Sequence, residues 1–189
     1  MMYDSGLNVR SEAGADSGER RRQRLVVHDR DGTVAYGFAV VMNRQAEGFH
    51  LEVVDKHNQP TGKSVYFQFK DVKAVFYVKS YDGRFDPEKY DHGMPSNGVP
   101  LVIIFEDGET IKGHALSSTW TREQRFFFVP EDSASNNLGM LVERTAAKQI
   151  LSPDEHKRML HAEVEAFVAA HGKPGMSREI GRASCRERV

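Results

Sequence analysis

The chain has 189 residues, 39% apolar and 28% charged, with 26 Lys and Arg against 27 Asp and Glu, for a formal net charge of −1. That balance describes a globular protein with material for modest cores, and it argues against a general nucleic-acid binder, which needs excess cations to neutralise phosphates. The longest apolar runs, residues 38–42 and 101–105, reach about five residues against the roughly 18 of a membrane-spanning helix. The N-terminus carries no apolar stretch of signal-peptide type, so the expected compartment is the cytoplasm.

Residues 1–22 are rich in Gly, Ser, Ala and Asp without apolar periodicity, and are expected to be a disordered leader ending in a run of arginines. A strand is predicted over residues 25–28. Asp31-Gly32 follows, a dipeptide suited to the positive φ of a tight hairpin. A long β-branched strand covers residues 33–42, with Gly37 where a small barrel would bend, and residues 49–54 alternate as a half-buried strand does. Residues 55–63, with Asn58, Pro60 and Gly62, are predicted to be a loop. Two short strands follow at 64–69 and 73–78.

Residues 80–99 hold several Gly and Pro and are read as a linker. The same plan then runs again, with strands at 101–105, 110–117, 126–129, 140–142 and 148–151. Asp31-Gly32 and Gly37 recur 76 positions later as Asp107-Gly108 and Gly113. Gly48-Phe49-His50-Leu51 answers to Arg125-Phe126-Phe127-Phe128, and Val72-Lys73-Ala74-Val75-Phe76 to Ala147-Lys148-Gln149-Ile150-Leu151. The chain therefore reads as two copies of one small β module, residues 23–79 and 100–152.

Residues 153–172 are predicted to be a helix. Ser152-Pro153-Asp154-Glu155 supplies an N-cap, a Pro at the first helical position and a Glu three residues after the cap. Leu160, Val164, Phe167 and Val168 form an apolar stripe that is expected to bury against a barrel face or a second chain. Residues 173–189 are read as a disordered tail, and 179–189 look like the in-frame translation of a sequencing-library adapter. Setting 179–189 aside removes Cys185, the single cysteine, and leaves 23 basic against 25 acidic residues. Thiol chemistry is then not expected.

Each copy resembles the Sm-like family of strongly bent, five-stranded SH3-type barrels. The carrying pattern is a strand, Asp-Gly, four residues, then Gly: Val26 through Asp31-Gly32 to Gly37, and Val102 through Asp107-Gly108 to Gly113. The resemblance implies a mostly β fold of two tandem small SH3/Sm-like barrels with a C-terminal α-helix. It does not extend to RNA binding, because the base-contacting positions are replaced by residues 43–47 and 119–123, and the Arg-Gly of the second Sm motif by Lys70-Asp71 and Arg144-Thr145. Residues 69–80, with Phe126-Phe127-Phe128-Val129-Pro130 and Ser135-Asn136-Asn137, look like an uncharacterised bacterial domain of unknown function spanning roughly residues 20–152.

Candidate sites are few. Arg20 and Arg24 resemble the first half of the motif with which PilZ domains clamp a cyclic dinucleotide, where bidentate guanidinium–phosphate pairing supplies the chemistry. The second half is echoed only by residues 43–48, with Gln45 at the Ser position. The bland reading is a solvated basic end to the leader. The eight histidines show no metal-ligand spacing,. Asp29/Asp31 and Asp86/Glu88 are carboxylate pairs in turns, where Asp stabilises local backbone. Trp120 and Phe127 belong to the densest aromatic cluster. Because Phe126 and Phe128 share one face of a strand, Phe127 takes the other, and Trp120 and Phe127 are candidates for an interaction surface.

The expected function is a non-catalytic interaction or regulatory module in bacterial cytoplasmic signalling, with no cofactor and no metal, partnered by another protein or by itself. A cyclic-dinucleotide sensor and an Sm-like RNA binder are the alternatives.

Overall fold

Two Asp-Gly turns set the frame. The structure, a computed structural model, describes residues 22–39, 42–85, 98–132 and 134–171. Gly32 and Gly108 take φ of 89° and 87°, a conformation open to glycine at no steric cost. Each joins two strands: β1 (Arg24–Asp29) to β2 (Val34–Ala39), and β6 (Val99–Phe105) to β7 (Thr110–Ala115). Between β2 and β6 lie β3 (Gly48–Val54), β4 (Pro60–Gln68) and β5 (Val72–Val78). After β7 come β8 (Arg125–Pro130), β9 (Asn137–Glu143), β10 (Ala147–Leu151) and one helix, α1 (Pro153–His171).

The repeat is structural as well as sequential. The sheet order is β10-β6-β7-β8-β9-β5-β1-β2-β3-β4, so each copy runs fifth, first, second, third, fourth strand. Both fifth strands slip register at the same place, around Lys73 in β5 and Lys148 in β10. In both copies a 3-10 turn, Phe69–Asp71 or Arg144–Ala146, links the fourth and fifth strands. A Cβ on Gly37 would meet the Glu52 carbonyl oxygen at 2.3 Å, and one on Gly113 the Val129 oxygen at 2.1 Å, so both second strands approach the third too closely there for a side chain.

In place of the expected pair of separate barrels stands one continuous sheet. The copies merge into one ten-stranded antiparallel sheet, not closed, because β5 of the first copy pairs with β9 of the second from Ala74↔Val142 to Val78↔Asn137. The reason is apolar area. Val26, Ala74 and Phe76 of the first copy join Ile103, Phe105, Phe126, Phe128, Met140 and Val142 in one core cluster, while Leu141 of the second joins Leu25, Val27, Leu51 and Val75 in the other. At about 25 cal/mol per Å² of apolar surface removed from water, separating the copies would expose the centre of both cores.

Two elements depart from the sequence reading. Strand β4 begins at Pro60, inside the predicted loop, since an outermost strand tolerates a residue with no N–H to donate,. The helix starts as predicted, with Glu155 N–H donating to Ser152 Oγ at 3.3 Å and Ser152 N–H to Glu155 Oε2 at 2.8 Å. Its stripe is not buried. Leu160, Val164 and Phe167 are exposed, Phe167 at 65%, and only His156 of the helix is buried; the contacts of α1 with the sheet are to β6 and β10.

Candidate functional site: the repeat junction and the free edges

The junction concentrates the buried charge of the molecule. Arg125 Nε donates to Glu143 Oε2 at 2.8 Å, with side chains 7% and 1% exposed. Its Nη1 donates to the carbonyl oxygens of Arg44 at 2.6 Å and Ala46 at 3.0 Å, and its guanidinium lies 4.1 Å from the centre of the Phe69 ring. One side chain of the second copy thus ties down the β2–β3 loop and the 3-10 turn of the first. Arg44 and Glu123 add an ion pair at 3.1 Å. The loops holding Arg44, Ala46 and Glu123 are thus engaged in holding the two repeats together.

A second ionic contact sits at the opposite side of the junction. Lys73 of β5 is buried and reaches the β6–β7 turn, donating to Asp107 at 2.5 Å and to Glu109. Burial opposes its charge, yet the two carboxylates more than offset this and hold its pKa above the ordinary lysine value. The Lys73 hydrogen bond in turn draws Asp107 below the usual carboxylate range. Arg30 of the β1–β2 turn donates to Thr145 Oγ1.

Beside this contact, His28 tilts against Phe76 with ring centroids 4.6 Å apart. Burial lowers its pKa, the neighbouring Glu109 pulling the other way. The folded protein therefore resists protonation where the unfolded chain accepts it. Relative to a His28→Gln variant, wild-type stability is expected to fall as pH drops through 6.5 toward the folded-state pKa, with nothing lost above it. An NMR titration of the His28 ring with a midpoint at or above 6.5 would contradict this.

The sequence candidates fall as follows. Arg24 donates Nη1 to the Lys79 carbonyl oxygen at 3.2 Å, and Arg20 lies outside the described residues, as does the Asp86/Glu88 pair. Asn43 Oδ1 accepts from Gln45 N–H at 2.9 Å, a local turn. Trp120 is half-buried against Phe126, with the Arg144 guanidinium 5.0 Å from its ring. Phe127 does face away from Phe126 and Phe128, but it packs against the first copy's core and Tyr77, rings 5.8 Å apart. Sequence parity found the direction of Phe127 and missed what lies there.

Among the described residues no group of three His, Cys, Asp or Glu side chains could hold a metal ion, and no helix is long and apolar enough to cross a membrane. Two hollows stand out, about 450 Å³ beside Lys112 and Asp132 and about 270 Å³ between Tyr36, Asp55 and Tyr81. Neither is lined by a histidine or cysteine.

What sequence reasoning missed is the free edge. Val65, Tyr66 and Phe67 of β4 occupy the repeat positions of Met140, Leu141 and Val142 of β9, as the pairings Leu51↔Val65 and Phe128↔Met140 show. The β9 residues are 0%, 1% and 0% exposed, covered by β5; Val65 and Tyr66 are 42% and 48% exposed, and among the described residues β4 has a neighbour on one side only. The signal was present in the alignment of the repeats, but it becomes legible only once β9 is known to be paired on both sides.

Residues 21–152 match DUF6982, a family of unknown function. The chain belongs to this family. The match spans both copies and stops just before α1, so the ten-stranded sheet is the family's domain and the helix lies outside the match. No curated protein and no solved structure matches the chain.

Proposed function

We propose that this DUF6982 chain is a non-catalytic interaction module that captures an extended protein segment along β4. An outermost strand presents unpaired N–H and C=O groups, and an incoming strand completes them while alternate side chains find apolar partners. The carrying observation is the contrast just described: Val65 and Tyr66 are exposed on β4, beside a half-buried Phe67, while their repeat equivalents Met140 and Leu141 on β9 are wholly covered. Each copy, in this reading, is a bent five-stranded SH3/Sm-like unit, and binding uses the edge that the internal junction leaves free.

Selection of a displayed random-peptide library against the full chain tests the reading. Enriched peptides are expected to be extended and β-branched or aromatic at alternate positions, and to lose binding to a Val65→Lys/Phe67→Lys variant. No enrichment, or peptides indifferent to those substitutions, would contradict it.

A further inference from the structure

The junction between the two copies is a template that the chain has used once and could use again. Strand β5, fifth of the first copy, is covered by β9, fourth of the second; this leaves β4, fourth of the first, and β10, fifth of the second, as the two ends of the sheet. The ends are therefore the two halves of the same kind of junction. Their exposure says so as well. Lys73, Ala74, Val75 and Phe76 of β5 are all buried, whereas their equivalents in β10 are exposed at Lys148 and Gln149 and half-buried at Ile150 and Leu151. Helix α1 thus leaves the β10 edge uncovered.

Resting on the reading of β4 as a docking edge, we propose that its partner is β10 of a second copy of this chain, held in the register that β9 keeps against β5. Transposing Ala74↔Val142, Val75↔Leu141 and Phe76↔Met140 by the repeat sets Gln149 opposite Phe67 of the next copy, Ile150 opposite Tyr66 and Leu151 opposite Val65. Apolar side chains meet at Ile150–Tyr66 and Leu151–Val65, Gln149 is the one polar residue of the three, and the backbone groups of both edges find partners.

The charges transpose too. In the internal junction Lys73 reaches Asp107; the equivalent residues are Lys148 and Asp31, so a cation again meets an anion across the new contact. Internally Arg30 meets Thr145; the equivalents are Glu106 and Lys70, an opposite-charge pair where the original was charged–neutral. All four side chains are exposed in the single chain. Not everything carries over. The position of Arg125 is taken by Gly48 and that of Tyr77 by Ser152, so the buried ionic latch is missing. The contact between chains is therefore weaker than the one within, and reversible. It is also head-to-tail: each chain offers two different surfaces, and assembly ends only if the rotation closes.

Mass in solution, measured across a concentration series of the full chain under reducing conditions, is expected to rise with concentration. The Glu106→Lys/Lys148→Glu variant sets like charges against the unaltered Asp31 and Lys70 of the next copy, and should weaken association roughly tenfold or more. Adding Asp31→Lys and Lys70→Glu to the same chain restores opposite charges at both pairs and should recover association. A non-specific or face-to-face dimer would not follow this pattern. A monomer at every concentration overturns the proposal, as does association indifferent to the reversal. Peptide capture that persists in a strictly monomeric chain would leave the strand-addition reading standing while removing the second copy as occupant; loss of both would remove both.

Discussion

Replacing Arg125 with Met is expected to cost about 3–5 kcal/mol of stability, a magnitude set by what stays behind. Glu143 is 1% exposed, and its Oε2 faces Arg125 Nε at 2.8 Å while, among the described residues, Oε1 accepts from Thr145 Oγ1 and N–H. Without the guanidinium, a buried carboxyl group loses its counter-charge, and the Arg44 and Ala46 carbonyl oxygens lose a shared donor. The loss falls on the contact between copies, so urea unfolding should lose cooperativity along with midpoint. Adding Glu143→Leu should recover part of the loss, since replacing both partners of a buried pair is far cheaper than removing one. A single-variant cost below about 1 kcal/mol would show the pair to be behaving like a solvent-exposed one.

Met140→Ala and Val65→Ala should differ sharply although the two residues hold the same repeat position. Met140 is fully buried under β5, and truncating it leaves a cavity, for a cost of about 2–5 kcal/mol,. Val65 lies on the uncovered edge at 42% exposure, and its truncation in dilute solution should cost within about 1 kcal/mol. Denaturant midpoints of the two variants, measured side by side, check this. Equal costs would mean that β4 is covered in the free chain and is no docking edge.

Much of the local structure was legible in the sequence, for identifiable reasons. Asp31-Gly32 and Asp107-Gly108 announce hairpins because the required φ is positive, and Ser152 with Glu155 announces the helix start because the capping groups lie three residues apart. Alternation placed Phe126 and Phe128 on the face opposite Phe127. The joining of the copies was hidden, because the paired residues of β5 and β9 lie 59 to 68 positions apart in sequence and their register depends on long-range apolar complementarity that no local pattern encodes. For the same reason nothing local marked Arg125, the repeat equivalent of Gly48, as the partner of Glu143 across the strand pair. The strand character of residues 60–63 was masked by Pro60 and Gly62, which signal loops in a central strand and are tolerated in an outermost one.

The unburied stripe of α1 follows the same logic. Its spacing predicted an apolar face correctly, but spacing says nothing about whether a covering surface exists within the chain,.

Residue-by-residue amide hydrogen exchange in dilute solution tests most directly the claim that a single sheet is joined at β5·β9 and left open at β4. The account predicts that amides of β5 and β9 exchange only through global unfolding, while alternate amides of β4, whose N–H groups face no strand, exchange within the dead time. Equal and fast exchange in β5, β9 and β4 would contradict it, showing the two copies to be separate units with no shared sheet to leave an edge behind.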